Sequence, residues 1–149
     1  MASGLGLHAK RKLGEGVFDW LNDTFYWILL QDTWTPAPDT DEFVDEVDAD
    51  EVSVSGYSPQ TVTSPTINED TGADEAEFDC ADPTFTSLAS GQTIGHSAVA
   101  KQVGADTTTP TDDPLLAVHD VTDTPTNGGD VTLQVDAEGA FKIGGTAYS

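Results

Sequence analysis

Ser97 stands beside His96, and Asp120 follows His119, so the residue types of a nucleophilic hydrolase occur in this chain. A serine becomes a nucleophile when a histidine takes its proton and a carboxylate orients that histidine. No nucleophile-elbow sequence surrounds any serine, and a chain so rich in Asp supplies such neighbours without design. His96 and His119 therefore read as ordinary strand residues. Paired carboxylates are plentiful, but a glycosidase also needs a deep sugar cleft between two placed acids. Neither a Walker sequence nor a dinucleotide glycine pattern occurs, and Asn127-Gly128-Gly129-Asp130 reads as a turn. No catalytic residue is assigned, and the chain is expected not to be an enzyme.

Cation binding is the stronger chemical candidate. Asp39, Asp41, Asp45, Asp48 and Asp50 crowd into one connection, and hard oxygen ligands suit calcium or magnesium. The segment lacks the glycine that an EF-hand loop needs at its sixth position. It reads first as a solvated acidic loop, and no cofactor is expected beyond the non-specific cations of a salty medium. His8, His96, His119 and the single Cys80 share no metal-ligand spacing, and one cysteine makes no intramolecular disulfide. Trp20, Trp27 and Trp34 recur at a fixed interval beside Phe25 and Tyr26. A carbohydrate platform has this composition, but packing around one strand explains it more simply.

Charge narrows the setting. The 149 residues carry 27 Asp plus Glu against 5 Lys plus Arg, a net charge of −22. So many like charges oppose compaction in dilute buffer, whereas in molar salt the screening length falls to about 3 Å. The acids spread from Glu15 to Glu138 instead of forming one tail, which points to adaptation to high salt. Phosphate binding needs clustered Lys and Arg, so nucleic acid is not an expected partner. Lys10, Arg11 and Lys12 are the one basic run. They read as the interaction residues of a basic N-terminal arm, residues 1–12, free to flex. The best apolar run, Phe25 to Leu30, falls far short of the roughly 18 residues of a membrane span. No apolar signal-peptide core follows the basic run, and no membrane partner is expected.

The elements that must position these side chains are mostly strands. Leu13, Val17, Trp20 and Leu21 fall on one face of a short helix over Ala9 to Asn22, weakened by Gly14 and Gly16. Thr24 to Trp34 reads as a strand that is apolar on both sides, hence central or covered on both faces. In the acidic connection, Phe43 and Val47 suit one helical turn, with Asp39 as its cap. Period-two segments follow at Val52 to Tyr57 and Val62 to Ile67, with a turn over Asn68 to Asp74. Further strands are expected at Ala76 to Cys80, Thr84 to Leu88, Gly95 to Val103, Leu115 to Val121, Val131 to Val135 and Ala140 to Ile143. This spacing predicts a single all-β domain over residues 1–149. Its expected form is an antiparallel β-sandwich, jelly-roll-like, or a related barrel, with one or two short N-terminal helical turns.

Several local sequences carry a resemblance. They are Lys12-Leu13-Gly14-Glu15-Gly16, then Asp23-Thr24 with Leu29-Leu30 and Asp32, then Thr35-Pro36 before Asp39-Thr40-Asp41 and Phe43. Ser55-Gly56-Tyr57, Gln60-Thr61-Val62-Thr63 and Phe78-Asp79-Cys80-Ala81-Asp82 follow. Pro114-Leu115-Leu116-Ala117, Asn127-Gly128-Gly129-Asp130 and Val135-Asp136 close the set. The layout resembles small head-associated structural proteins of tailed phages and of tailed viruses of halophilic archaea. The resemblance implies a virion component on the head: a decoration, turret or fibre-base protein. Its implied partners are copies of itself and other virion proteins such as the major capsid protein. The alternative is a tail or spike module that adheres to a host-surface glycan.

Overall fold

The computed structural model describes residues 4–104 and 110–144. Along the chain come β1 (Gly4–Leu5), α1 (Leu7–Gly14), β2 (Phe25–Gln31) and two 3-10 turns at Val44–Glu46 and Asp48–Asp50. Then come β3 (Gln60–Thr61), β4 (Thr66–Asp70), β5 (Glu75–Asp79), β6 (Thr84–Phe85) and β7 (Thr93–Lys101). A 3-10 turn at Pro110–Asp112 leads to β8 (Leu115–Pro125), β9 (Val131–Thr132) and β10 (Phe141–Gly144). The strands pair antiparallel in a five-stranded sheet β1-β8-β7-β2-β3, a three-stranded sheet β10-β5-β4 and the pair β6-β9. The fold is the expected all-β, sandwich-like one with a short N-terminal helix.

Strand β2 explains the layering. Its alternate residues point to opposite faces, and both sets are apolar. Phe25, Trp27 and Leu29 enter the larger core with Phe85, Leu88, Val99 and Phe141. Phe78 and Val131 from the smaller sheets pack against the same cluster. Tyr26, Ile28 and Leu30 enter a second core closed by Trp34, Val44 and Val47. The acidic connection is thus a lid on the second face. Its Asp39, Asp45, Glu46 and Asp48 stay outside while its valines seal the strand.

The structure departs from the sequence expectations in several places, and the strands expected at Thr84 to Leu88 and Val131 to Val135 are cut to Thr84–Phe85 and Val131–Thr132. Helix α1 starts earlier and stops at Gly14, because Gly16 at φ +72° turns the chain into the left-handed region that ends helices. Phe18 and Trp20 are then buried by irregular chain, and Leu21 is 53% exposed. Asp39 caps nothing; Glu46 Oε2 instead accepts the Phe43 amide at 2.9 Å. Val52 to Tyr57 is no strand. Val52 donates its amide to the Leu29 carbonyl at 2.9 Å, and the chain then turns, with Tyr57 donating to Val54. Finally, β4 runs on to Asp70, whose carboxylate accepts the Gly72 amide at 2.7 Å and so sets the turn after the strand.

Candidate functional site

Pairing between β7 and β8 sets Ser97 opposite His119 and His96 opposite Asp120. Neighbours in sequence point to opposite faces of a sheet, so the sheet itself divides the hydrolase-like set. Ser97 and His119 lie on the larger-core face, and His96 and Asp120 on the other. The His96 ring meets Trp34 edge-on at 5.1 Å, and its Nδ1 has no hydrogen-bond partner among the described residues. The His119 ring lies 5.4 Å from that of Trp27. Burial pushes His119 down to about 4, so the imidazole is neutral at pH 7. Its Nε2 is buried with no hydrogen-bond partner among the described residues.

His119 opens onto a cleft of about 590 Å³. The floor is Trp27, Ile94, Ser97, His119 and Val121 of the five-stranded sheet. The facing wall is the segment from β9 to β10, with Val131, Leu133, Val135 and Phe141. Thr122, Thr124, Thr132, Asp136 and Glu138 stand around the rim. Gly139 lets the wall turn: its φ is +92°, and a β-carbon there would fall 2.6 Å from the Phe78 carbonyl oxygen. Lys142 pins the same segment by pairing with Glu138 at 2.6 Å and Glu75 at 2.8 Å. The hydrogen bonds to Glu138 and then Glu75 hold its ammonium above the usual lysine range.

The basic run turns inward. Lys12 is 8% exposed, and its Nζ reaches Glu42 Oε1 at 2.6 Å while its charge sits 4.5 Å over the Phe43 ring. Arg11 reaches the same oxygen at 2.8 Å, and His8 approaches the other at 3.3 Å. The Lys12 hydrogen bond, first among several causes, holds the Glu42 carboxyl below its ordinary range. Lys10 alone of the three is exposed without an ion pair among the described residues. The expected flexible arm is therefore corrected. Residues 4–12 are built into the fold through β1, α1 and Ala9, which is 2% exposed; residues 1–3 lie outside the described residues. In a chain this acidic, a cation finds a carboxylate within its own domain before it meets a partner's.

The other expected candidates resolve as structure. Asp45 and Asp48 are exposed, Asp41 accepts the Ala37 amide at 2.6 Å, and the Asp39 carbonyl accepts from His8. Asp50 is half-buried. Among the described residues no group of three or more His, Cys, Asp or Glu is arranged to hold a metal ion. Trp20, Trp27 and Trp34 are 4%, 2% and 8% exposed, so they offer no ring for a sugar to stack on. Cys80 is buried in the larger core. Burial first and the Asp79 charge second push its thiol up to about 11, with the Trp27 indole acting in the opposite sense.

Sequence reasoning did not find the cleft. Its residues form no motif, and the one signal was His119 in the otherwise apolar alternation of Ala117 and Val121, with Val131, Leu133 and Val135 alternating later in the chain. Comparison with models of protein families, with curated proteins and with solved structures returns no match to this chain. No helix among the described residues is long and apolar enough to cross a membrane.

Proposed function

We infer that this chain is a structural virion protein of a tailed virus infecting a halophile. It sits on the head as a decoration, turret or fibre-base component and acts by assembling with copies of itself and with neighbours such as the major capsid protein. The observation that carries this reading is the outer sheet β10-β5-β4. Every residue of β4 is exposed, and β4 is an edge strand whose outer backbone groups face solvent. Ile67 and Ile143 on that sheet are 43% and 42% exposed. Open edges and outward apolar side chains are what neighbouring subunits cover in assemblies. The net charge of −22 fits a particle that works in brine, where self-repulsion is screened.

Particle composition tests the reading. The protein is expected in purified virions, with antibody label distributed over the head. Label confined to the tail tip favours glycan adhesion instead, and absence from particles overturns both.

A further inference from the structure

We propose that the cleft between β8 and the β9–β10 segment binds an uncharged, largely apolar small molecule that carries a hydroxyl group. The proposal stands apart from the assembly reading, because it rests on a concave site and not on an exposed edge. At about 590 Å³ the cleft has the size of a small-ligand site. Its floor and facing wall are mainly aliphatic and aromatic, with the polar groups concentrated toward the rim. A charged ligand would lose hydration against the apolar part. Anions are further opposed by Asp136 and Glu138 at the rim, while the rim cation Lys142 is already held by Glu138 and Glu75.

His119 sets the polar requirement. Its ring lines the cleft. Its Nε2 is buried, without a hydrogen-bond partner among the described residues, on a neutral ring, so a turn of the ring is what presents it to a ligand. In one tautomer this nitrogen accepts a hydrogen bond, and in the other it donates one. A hydroxyl satisfies either case, since it is donor and acceptor at once. A carbonyl, which only accepts, or an ammonium, which only donates, satisfies only one.

Three probes of one shape separate the contributions: 2-naphthol, naphthalene and 2-naphthoate. Titration into the full chain in about 2 M potassium chloride is followed by calorimetry and by the nitrogen resonances of labelled histidine. We expect 2-naphthol to bind at a single site and to shift the His119 Nε2 resonance. Naphthalene is expected to bind about 5- to 10-fold more weakly, the worth of one neutral hydrogen bond, and 2-naphthoate not measurably. His119→Phe keeps the ring and removes the polar atom, so it is expected to bind 2-naphthol and naphthalene equally. Leu133→Trp fills the cleft from the opposite wall and is expected to abolish binding. Equal binding of 2-naphthol and naphthalene by the native chain overturns the proposal, as does the absence of binding or a shift at histidines other than His119. These measurements on the native chain decide the matter even if a variant fails to fold.

Discussion

The Tyr26 hydroxyl donates a 2.6 Å hydrogen bond to Asp113 Oδ2, joining the middle of the sheet to the start of β8 across 87 residues of sequence. Asp113 is 0% exposed, yet no cation pairs with it among the described residues. Its other oxygen accepts the Val103 amide at 2.7 Å, and its carbonyl accepts the Val44 amide at 3.1 Å. Burial first, and the Asp113 bond second, keep the Tyr26 phenol above its ordinary range. One residue thus ties together β2, the chain just after β7, the acidic lid and the approach to β8. Asp113→Ala leaves the buried Tyr26 hydroxyl unpaired, at about 1–3 kcal/mol, and takes the charged acceptor from the Val103 amide. We predict a loss of about 2–5 kcal/mol in denaturant unfolding, with Asp113→Asn losing less because it keeps an acceptor. Near-native stability of Asp113→Ala would show that the network is slack.

Glu42 gathers His8, Arg11 and Lys12 of α1, so its removal strands them. Glu42→Gln is predicted to cost about 1–3 kcal/mol, reduced where solvent screens Arg11, whose side chain is 54% exposed. The pH dependence follows in sign. A carboxyl held below its ordinary value stabilises the fold above the unfolded pKa, and this contribution is lost as pH falls through the folded value. The native chain should therefore lose its advantage over Glu42→Gln at the acid end. An advantage unchanged at low pH would remove the pairing from the stability of the fold. Deleting residues 1–12 takes away β1 and most of α1, and loss of the native circular dichroism is expected.

His119 makes a separate prediction at higher pH. Its folded pKa, about 4, lies below the ordinary value of about 6.5. Between these values the unfolded chain binds the extra proton, so stability rises with pH across that window. The contribution is fully present above about 6.5 and reaches at most about 3 kcal/mol. The unfolding midpoint of His119→Phe should vary less than that of the native chain from pH 7 to pH 4. Parallel profiles for the two proteins would refute the burial of a neutral imidazole.

Salt should govern stability as a whole. Against 27 carboxylates, the described ion pairs engage Glu15, Asp23, Glu42, Glu75 and Glu138. The others repel one another across the surface. The melting temperature is predicted to rise by many degrees between about 0.1 M and 2 M salt as the screening length contracts. An unchanged melting temperature over that range would end the halophile reading.

What the sequence made legible was periodicity. The apolar two-sided run at Phe25 to Leu30 announced a covered central strand, and the expected strand from Gly95 to Val103 is its neighbour in the sheet. What stayed hidden depended on distant partners. Lys12 looked like an exposed cation because Glu42, 30 residues away, is invisible to local spacing. Asp113 had no local sign of burial, since its partner lies on β2. The turn expected over Asn68 to Asp74 gave way to a longer hairpin, because the β5 pairing reaches Asp70. The cleft was hidden for the same reason, being made by two segments that meet only in the folded chain.

Cys80 gives the molecule a built-in clock. The only thiol of the chain is 8% exposed and held largely protonated beside Trp27, so an alkylating reagent finds almost no thiolate in the closed fold. Each modification event then records a moment when the larger core has come apart at this point. The rate of alkylation in brine and in dilute buffer therefore times that opening directly, without any introduced label.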